Sequence, residues 1–152
     1  MESIAAVSIR QVALRGMAAV HARLMPQRVG AEFSHYLDQV YAAARAGEVA
    51  VDGQNIFVYR DGPDGTVEVD FGVGVDAPFA ASGVVRYVEL PVGRVATATH
   101  IGDYRQLGAV HAAVVAWCRA NGHALAGPRW EVYGHGVEGV PPQTDISYLL
   151  AE

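Results

Sequence analysis

The sequence predicts an α+β protein: a duplicated strand–helix–strand–strand unit forming one antiparallel sheet, with two helices on one face and a pseudo-two-fold axis. Three observations carry this. Residues 33–59 align without a gap on 107–133, with identities at Val40/Val114, Ala42/Ala116, Arg45/Arg119, Ala46/Ala120, Ala50/Ala124, Gly53/Gly127, Val58/Val132 and Tyr59/Tyr133. Upstream, Gly16-Met-Ala-Ala-Val aligns with Gly93-Arg-Val-Ala-Thr at an offset three residues longer. Both copies pass through the same order of periodicities, extended, then helical, then two extended runs. The copies differ at one telling position. The strand after the shared glycine reads Ile56-Phe57-Val58-Tyr59 in the first and Trp130-Glu131-Val132-Tyr133 in the second, so a carboxylate stands where the sister keeps a phenyl ring.

In the first unit (about 5–72) a strand is expected across Ser8–Ala22, breaking at Met25-Pro26. A helix follows from about Gly30 to Ala46. Its apolar stripe is Phe33, Tyr36, Leu37, Val40 and Ala44, the i, i+3, i+4, i+7 pattern of one face. Gly47 suits the position after the helix end. Strands Asn55–Arg60 and Thr66–Gly72 are joined by Asp61-Gly62-Pro63-Asp64-Gly65, a turn-rich hairpin loop. Residues 73–86, rich in Gly, Ala and Pro, form a linker. In the second unit (about 87–150) Tyr87–His100 reads as strand, with Pro91 marking a break or edge. Asp103 is the candidate N-cap of a helix to about Ala120. Leu107, Val110, His111, Val114, Trp117 and Cys118 make its stripe, and Asn121-Gly122 ends it. Strands Arg129–Tyr133 and Thr144–Leu150 flank the loop Gly134–Gln143. Neither half alone buries a helix face and a sheet well, so the whole chain 1–152 is read as one domain.

The chain has 152 residues, 51% hydrophobic and 18% charged, as expected of a folded globular domain. Net charge is −5, from 11 basic residues, all arginine, against 16 acidic ones. No basic cluster occurs, which argues against direct nucleic-acid binding. Cys118 is the single cysteine, so no intramolecular disulfide can form, in keeping with a reducing cytoplasm. Met1-Glu2-Ser3-Ile4 lacks the basic start and apolar run of a signal peptide. The most apolar run, Ala109–Cys118, is too short to span a membrane.

Within Arg129–Tyr133, residues 129, 131 and 133 share one strand face. Glu131 and Tyr133 therefore point the same way, as Phe57 and Tyr59 do in the sister strand. An acid among aromatic rings can hold a lipophilic cation through charge, cation–π attraction and apolar burial. The alternative is that Glu131 pairs with Arg129 or Arg94 on a solvated face. Gly134-His-Gly136-Val-Glu-Gly139 fits GxGxxG, but Pro141-Pro142 follows instead of a phosphate-capping helix, so it reads as a hairpin loop. The six histidines form no metal-ligand spacing, and no metal or cofactor is expected. His111 lies on the helix stripe and reads as a hydrogen-bonded core histidine. Cys118 reads as a small buried hydrophobe.

Gly93-Arg-Val-Ala-Thr-Ala-Thr-His-Ile-Gly102-Asp-Tyr104-Arg-Gln-Leu107, followed by Trp117, Gly127-Pro128, Glu131-Val-Tyr133 and Thr144-Asp145, resembles the GyrI-like (gyrase-inhibitor-like) small-molecule-binding family. That family supplies the effector-binding domains of MerR- and AraC-type multidrug regulators and also occurs as stand-alone proteins. The resemblance implies the duplicated strand–helix–strand–strand fold. It also implies that Glu131 lies in an aromatic pocket for lipophilic cations, with Tyr133, Tyr104 and Tyr148 as pocket positions. Phe33, Tyr36 and Phe57 are added by symmetry. Where many relatives carry a proline in the last strand, this chain has Ser147-Tyr148-Leu149.

Three functions follow as expectations. The first is a stand-alone domain binding amphipathic, aromatic or cationic molecules in a central cleft, for multidrug sensing or sequestration. The second, implied by the resemblance, is hydrolysis of electrophilic cyclopropanoid-type genotoxins. There Glu131 serves as general base and Tyr133 or Tyr104 holds or protonates the electrophile's oxygen. The third is a protein-interaction role such as gyrase inhibition. The expected partner is thus a small hydrophobic or cationic molecule, with no direct nucleic acid or membrane. A protein partner stays open, as do monomer and homodimer.

Overall fold

The computed structural model describes residues 6–152. The reading of Met1–Ile4 and the start of the first repeat at residue 5 lie outside the described residues. In chain order the elements are β1 Ser8–Val12, β2 Gly16–Leu24, α1 Val29–Arg45, β3 Asn55–Asp61, β4 Val67–Val75, β5 Arg86–Glu89, β6 Gly93–Ile101, α2 Leu107–Ala120, β7 Leu125–Tyr133 and β8 Gln143–Leu150. This is an α+β fold whose strand pairs, within each unit, are antiparallel. Each predicted helix and hairpin is present.

Leu14–Leu90 form one compact unit, and residues 6–13 join Pro91–Glu152 in the other. In the first unit the strand order is β3-β4-β2-β5. α1 packs on β2 and β4. Met17, Val40, Ile56 and Phe71 are fully buried there. Leu37 and Val40 of the predicted α1 stripe are buried as expected, and at its end Ala43 is buried in place of Ala44. Phe33 is 36% exposed at the edge of the stripe. Gly47 takes φ +78° and its N–H bonds the carbonyl of Ala44 at 3.1 Å, ending α1 in the left-handed conformation open to glycine.

In the second unit the order is β1-β6-β8-β7, with α2 on β6 and β8. Leu107, Val110, Val114 and Cys118 of α2 pack with Ala96, Ala98 and Ile146. Asp103 accepts from the Arg105 N–H at 2.8 Å, so it caps the short 3-10 turn Tyr104–Gln106, and α2 itself begins at Leu107.

Two predicted strands are each divided. Ser8–Ala22 is not continuous: β1 pairs with β6, whereas β2 pairs with β4 and β5. The break at Ala13–Arg15 separates two sets of partners, and Leu14 there is 61% exposed. Tyr87–His100 likewise divides at Leu90–Val92 into β5 and β6. Pro91 lacks the N–H a ladder needs. Both divisions escape periodicity because all four pieces are extended. What separates them is the choice of partner, a long-range property.

The pairing that positions the site is β7 with β8. A register shift lies between Leu125 and Arg129, at the bulge around Gly127 (φ +119°). Beyond it the ladder is regular: Arg129 faces Tyr148, Glu131 faces Ile146 and Tyr133 faces Thr144. Tyr148 in turn faces Ala96 of β6, which sets the register of the last strand.

Candidate functional site

Strand alternation and the β7–β8 register put Glu131, Tyr133, Thr144, Ile146 and Tyr148 on one face. That face carries α2, whose His111 extends the row Leu107, Val110, Val114. Glu131 is 6% exposed, so it does not stand on a solvated sheet face. A desolvated carboxylate needs donors, and it has them. Tyr133 donates its hydroxyl hydrogen to Glu131 Oε1 at 2.6 Å. His111 Nε2 lies 2.7 Å from Glu131 Oε2. His111 Nδ1 lies 2.7 Å from the Tyr148 hydroxyl. Tyr148 is buried and Tyr133 half-buried. Tyr104 is 51% exposed and meets Tyr133 edge-to-face, with ring centroids 5.5 Å apart.

The acid thus lies behind two phenols and an imidazole, with the Tyr104 ring open to solvent. The arrangement offers negative charge backed by ordered donors and an exposed aromatic face. It also supplies a carboxylate and a phenol in direct contact, the minimum for general acid–base chemistry.

The structure brings four of the predicted residues together here: Glu131, Tyr133, Tyr104 and Tyr148. The other three meet in the first unit. Phe33 lies 5.7 Å from Phe57, Phe57 meets Phe71 edge-to-face at 5.0 Å, and Tyr36 stacks on Phe71 at 5.3 Å. Phe57 is buried, whereas Phe33 and Tyr36 retain exposure. Tyr36 also lines a pocket of about 660 Å³ in this unit, with Val20, His21, His35, Asp70 and Arg86.

His111, read from the helix stripe as a hydrogen-bonded core histidine, is half-buried and hydrogen-bonded; what helical periodicity does not show is that one of its partners is Glu131. The repeat alignment contains the missing signal: His111 falls opposite Leu37, as Glu131 falls opposite Phe57. Among the described residues no group of three or more His, Cys, Asp or Glu side chains is placed to hold a metal ion. No helix among them is long and apolar enough to cross a membrane.

The duplicated strand–helix–strand–strand unit places the chain in a class of duplicated α+β domains. The chain belongs to the GyrI-like family: the GyrI-like small molecule binding domain matches residues 5–149. Solved structures agree on the fold. The C-terminal domain of EcmrR superposes with a TM-score of 0.76 at 13% identity, covering 99% of each chain. SAV2435 bound to tetraphenylphosphonium gives 0.69 at 11% identity, over 96% of this chain and 94% of that one. A hydrolase from Listeria innocua gives 0.57 at 10% identity, over 95% and 91%. No curated protein matches the chain.

Proposed function

We propose that this GyrI-like domain captures amphipathic aromatic cations, with Glu131 as the counter-charge and Tyr104 and Tyr133 as ring contacts. One observation carries the reading: a buried carboxylate with ordered donors on both oxygens, beside an exposed tyrosine ring. The tetraphenylphosphonium complex of a protein with the same fold supports it. Phe33, Tyr36 and Phe57, which cluster with Phe71 in the first unit, are proposed as a separate apolar contact surface of that unit. Multidrug sensing or sequestration in the cytoplasm is the role that fits.

The test is tryptophan quenching, from Trp117 and Trp130, and calorimetry with tetraphenylphosphonium, triphenylphosphine oxide and tetraphenylborate. With an effective dielectric constant of ~20, a unit charge about 5 Å from the acid gains roughly 3 kcal/mol before solvent screening. Glu131→Gln is therefore expected to weaken the phosphonium by about tenfold to a hundredfold and to leave the neutral oxide unchanged. Equal phosphonium binding by both proteins refutes the charge pairing.

The contact between Glu131 and Tyr133 favours a second reading, hydrolysis of an electrophilic small molecule. In it Glu131 activates water and Tyr133 or Tyr104 holds or protonates the electrophile's oxygen. Substrate loss continuing over many turnovers, and abolished in Glu131→Gln, distinguishes it from stoichiometric capture.

A further inference from the structure

Two polar side chains of the second repeat replace apolar ones of the first: His111 for Leu37, and Glu131 for Phe57. They come from α2 and β7, and they touch. Paired exchanges in contact are unlike two independent surface changes, because each partner removes the cost of burying the other. We infer that His111 is the specificity-determining residue of the Glu131 site. It is held as the Nε2–H tautomer and fixes the position of the carboxylate, so that the site selects cations over neutral ligands of similar shape. The inference rests on the reading of Glu131 given above.

The hydrogen bonds allow the protons to be placed. An ionised carboxylate only accepts, so Nε2 must donate to Oε2. With Nε2 protonated, a neutral ring leaves Nδ1 as an acceptor, and the Tyr148 hydroxyl donates to it. Tyr133 donates to Oε1. Three contacts then use three protons, no donor opposes another, and the cluster carries one negative charge.

His111 is thus a positioning residue. It has 21% side-chain exposure against 7% for Glu131, and it acts through the acid. Its anchor, Tyr148, is buried in the β8 register, so the imidazole is held from both sides. Leucine at this position loses both contacts, while glutamine can still donate an amide hydrogen to Oε2. Leucine is also the residue the sister repeat carries at the equivalent helical position.

The experiment compares wild type, Glu131→Gln, His111→Leu and His111→Gln. Binding of tetraphenylphosphonium and triphenylphosphine oxide is measured by calorimetry, and the imidazole tautomer by long-range ¹H–¹⁵N correlation. Loss of one charge-assisted hydrogen bond in His111→Leu is expected to cut phosphonium affinity about tenfold or more, with the oxide unchanged. His111→Gln is expected to restore most of the preference for the cation. Wild-type spectra are expected to show a proton on Nε2 and none on Nδ1. A His111→Leu protein that keeps the wild-type phosphonium-to-oxide ratio, while Glu131→Gln loses it, overturns this inference and leaves the Glu131 reading standing. A Glu131→Gln protein that keeps the ratio overturns both. Should His111→Leu fail to fold, a wild-type ring protonated on Nδ1 alone, or a His111→Gln protein with no preference for the cation, overturns it equally.

Discussion

Thr144→Val is expected to raise stability. The Thr144 side chain is fully buried, and its hydroxyl has no hydrogen-bond partner among the described residues. Thr144 stands opposite Tyr133 in the β7–β8 ladder and opposite His100 in β6–β8, on the face that carries Glu131. A buried hydroxyl without a partner costs about 1–3 kcal/mol. Valine has nearly the same volume and suits a strand, so little packing is lost. The net gain is placed at about 1–2 kcal/mol, which in a chain of this size raises Tm by roughly 2–6 °C. Urea unfolding should show a higher midpoint with an unchanged slope, since the exposed surface does not change. The assay is thermal and urea denaturation of both proteins followed by circular dichroism. A fall in the midpoint would refute the reasoning, because it would mean that the hydroxyl holds a bond, to water or to protein, that valine cannot replace.

Two further outcomes are expected in the first unit. A Cβ at Gly72 would lie 2.6 Å from the Ala18 carbonyl oxygen and 2.9 Å from Met17 Sδ. The carbonyl belongs to β2, the partner of β4 in the sheet, and cannot swing aside. Gly72→Ala should therefore cost about 1–3 kcal/mol in urea denaturation, and an unchanged midpoint would contradict the packing described. His21 bridges Asp70 at 2.8 Å and Glu68 at 3.0 Å. Burial alone would lower the proton affinity of its ring, but the hydrogen bonds and charges of Asp70 and Glu68 outweigh that and raise the pKa above 6.5. A raised folded-state pKa adds stability below the unfolded value, and that stability is lost as pH rises through the folded one. The melting advantage of wild type over His21→Gln should shrink as pH rises from about 6.5 through the raised folded-state pKa. A difference that is flat or grows as pH rises above 6.5 would count against the bridge.

The sequence by itself determined the local elements. Helical spacing located α1 and α2 to within a few residues, Gly47 marked the end of one, and the turn residues 61–65 marked a hairpin. Strand alternation put Glu131 and Tyr133 on one side, which their 2.6 Å contact bears out. These properties depend on neighbours one to four residues apart, and a chain writes them directly in its pattern. Comparison of the repeats also singled out Glu131, because an acid in place of phenylalanine is costly to bury. Only the tertiary structure decided the rest. Whether Ser8–Ala22 is one strand or two depends on which distant strands offer hydrogen bonds, β6 for one piece and β4 with β5 for the other. Whether Tyr148 meets the site depends on the register of β8 against β6 and β7. The role of His111 depends on a helix and a strand twenty residues apart converging within 2.7 Å. On the helix alone the imidazole is one more half-buried ring in an apolar stripe, and it acquires a charge to hold only when β7 folds beneath it.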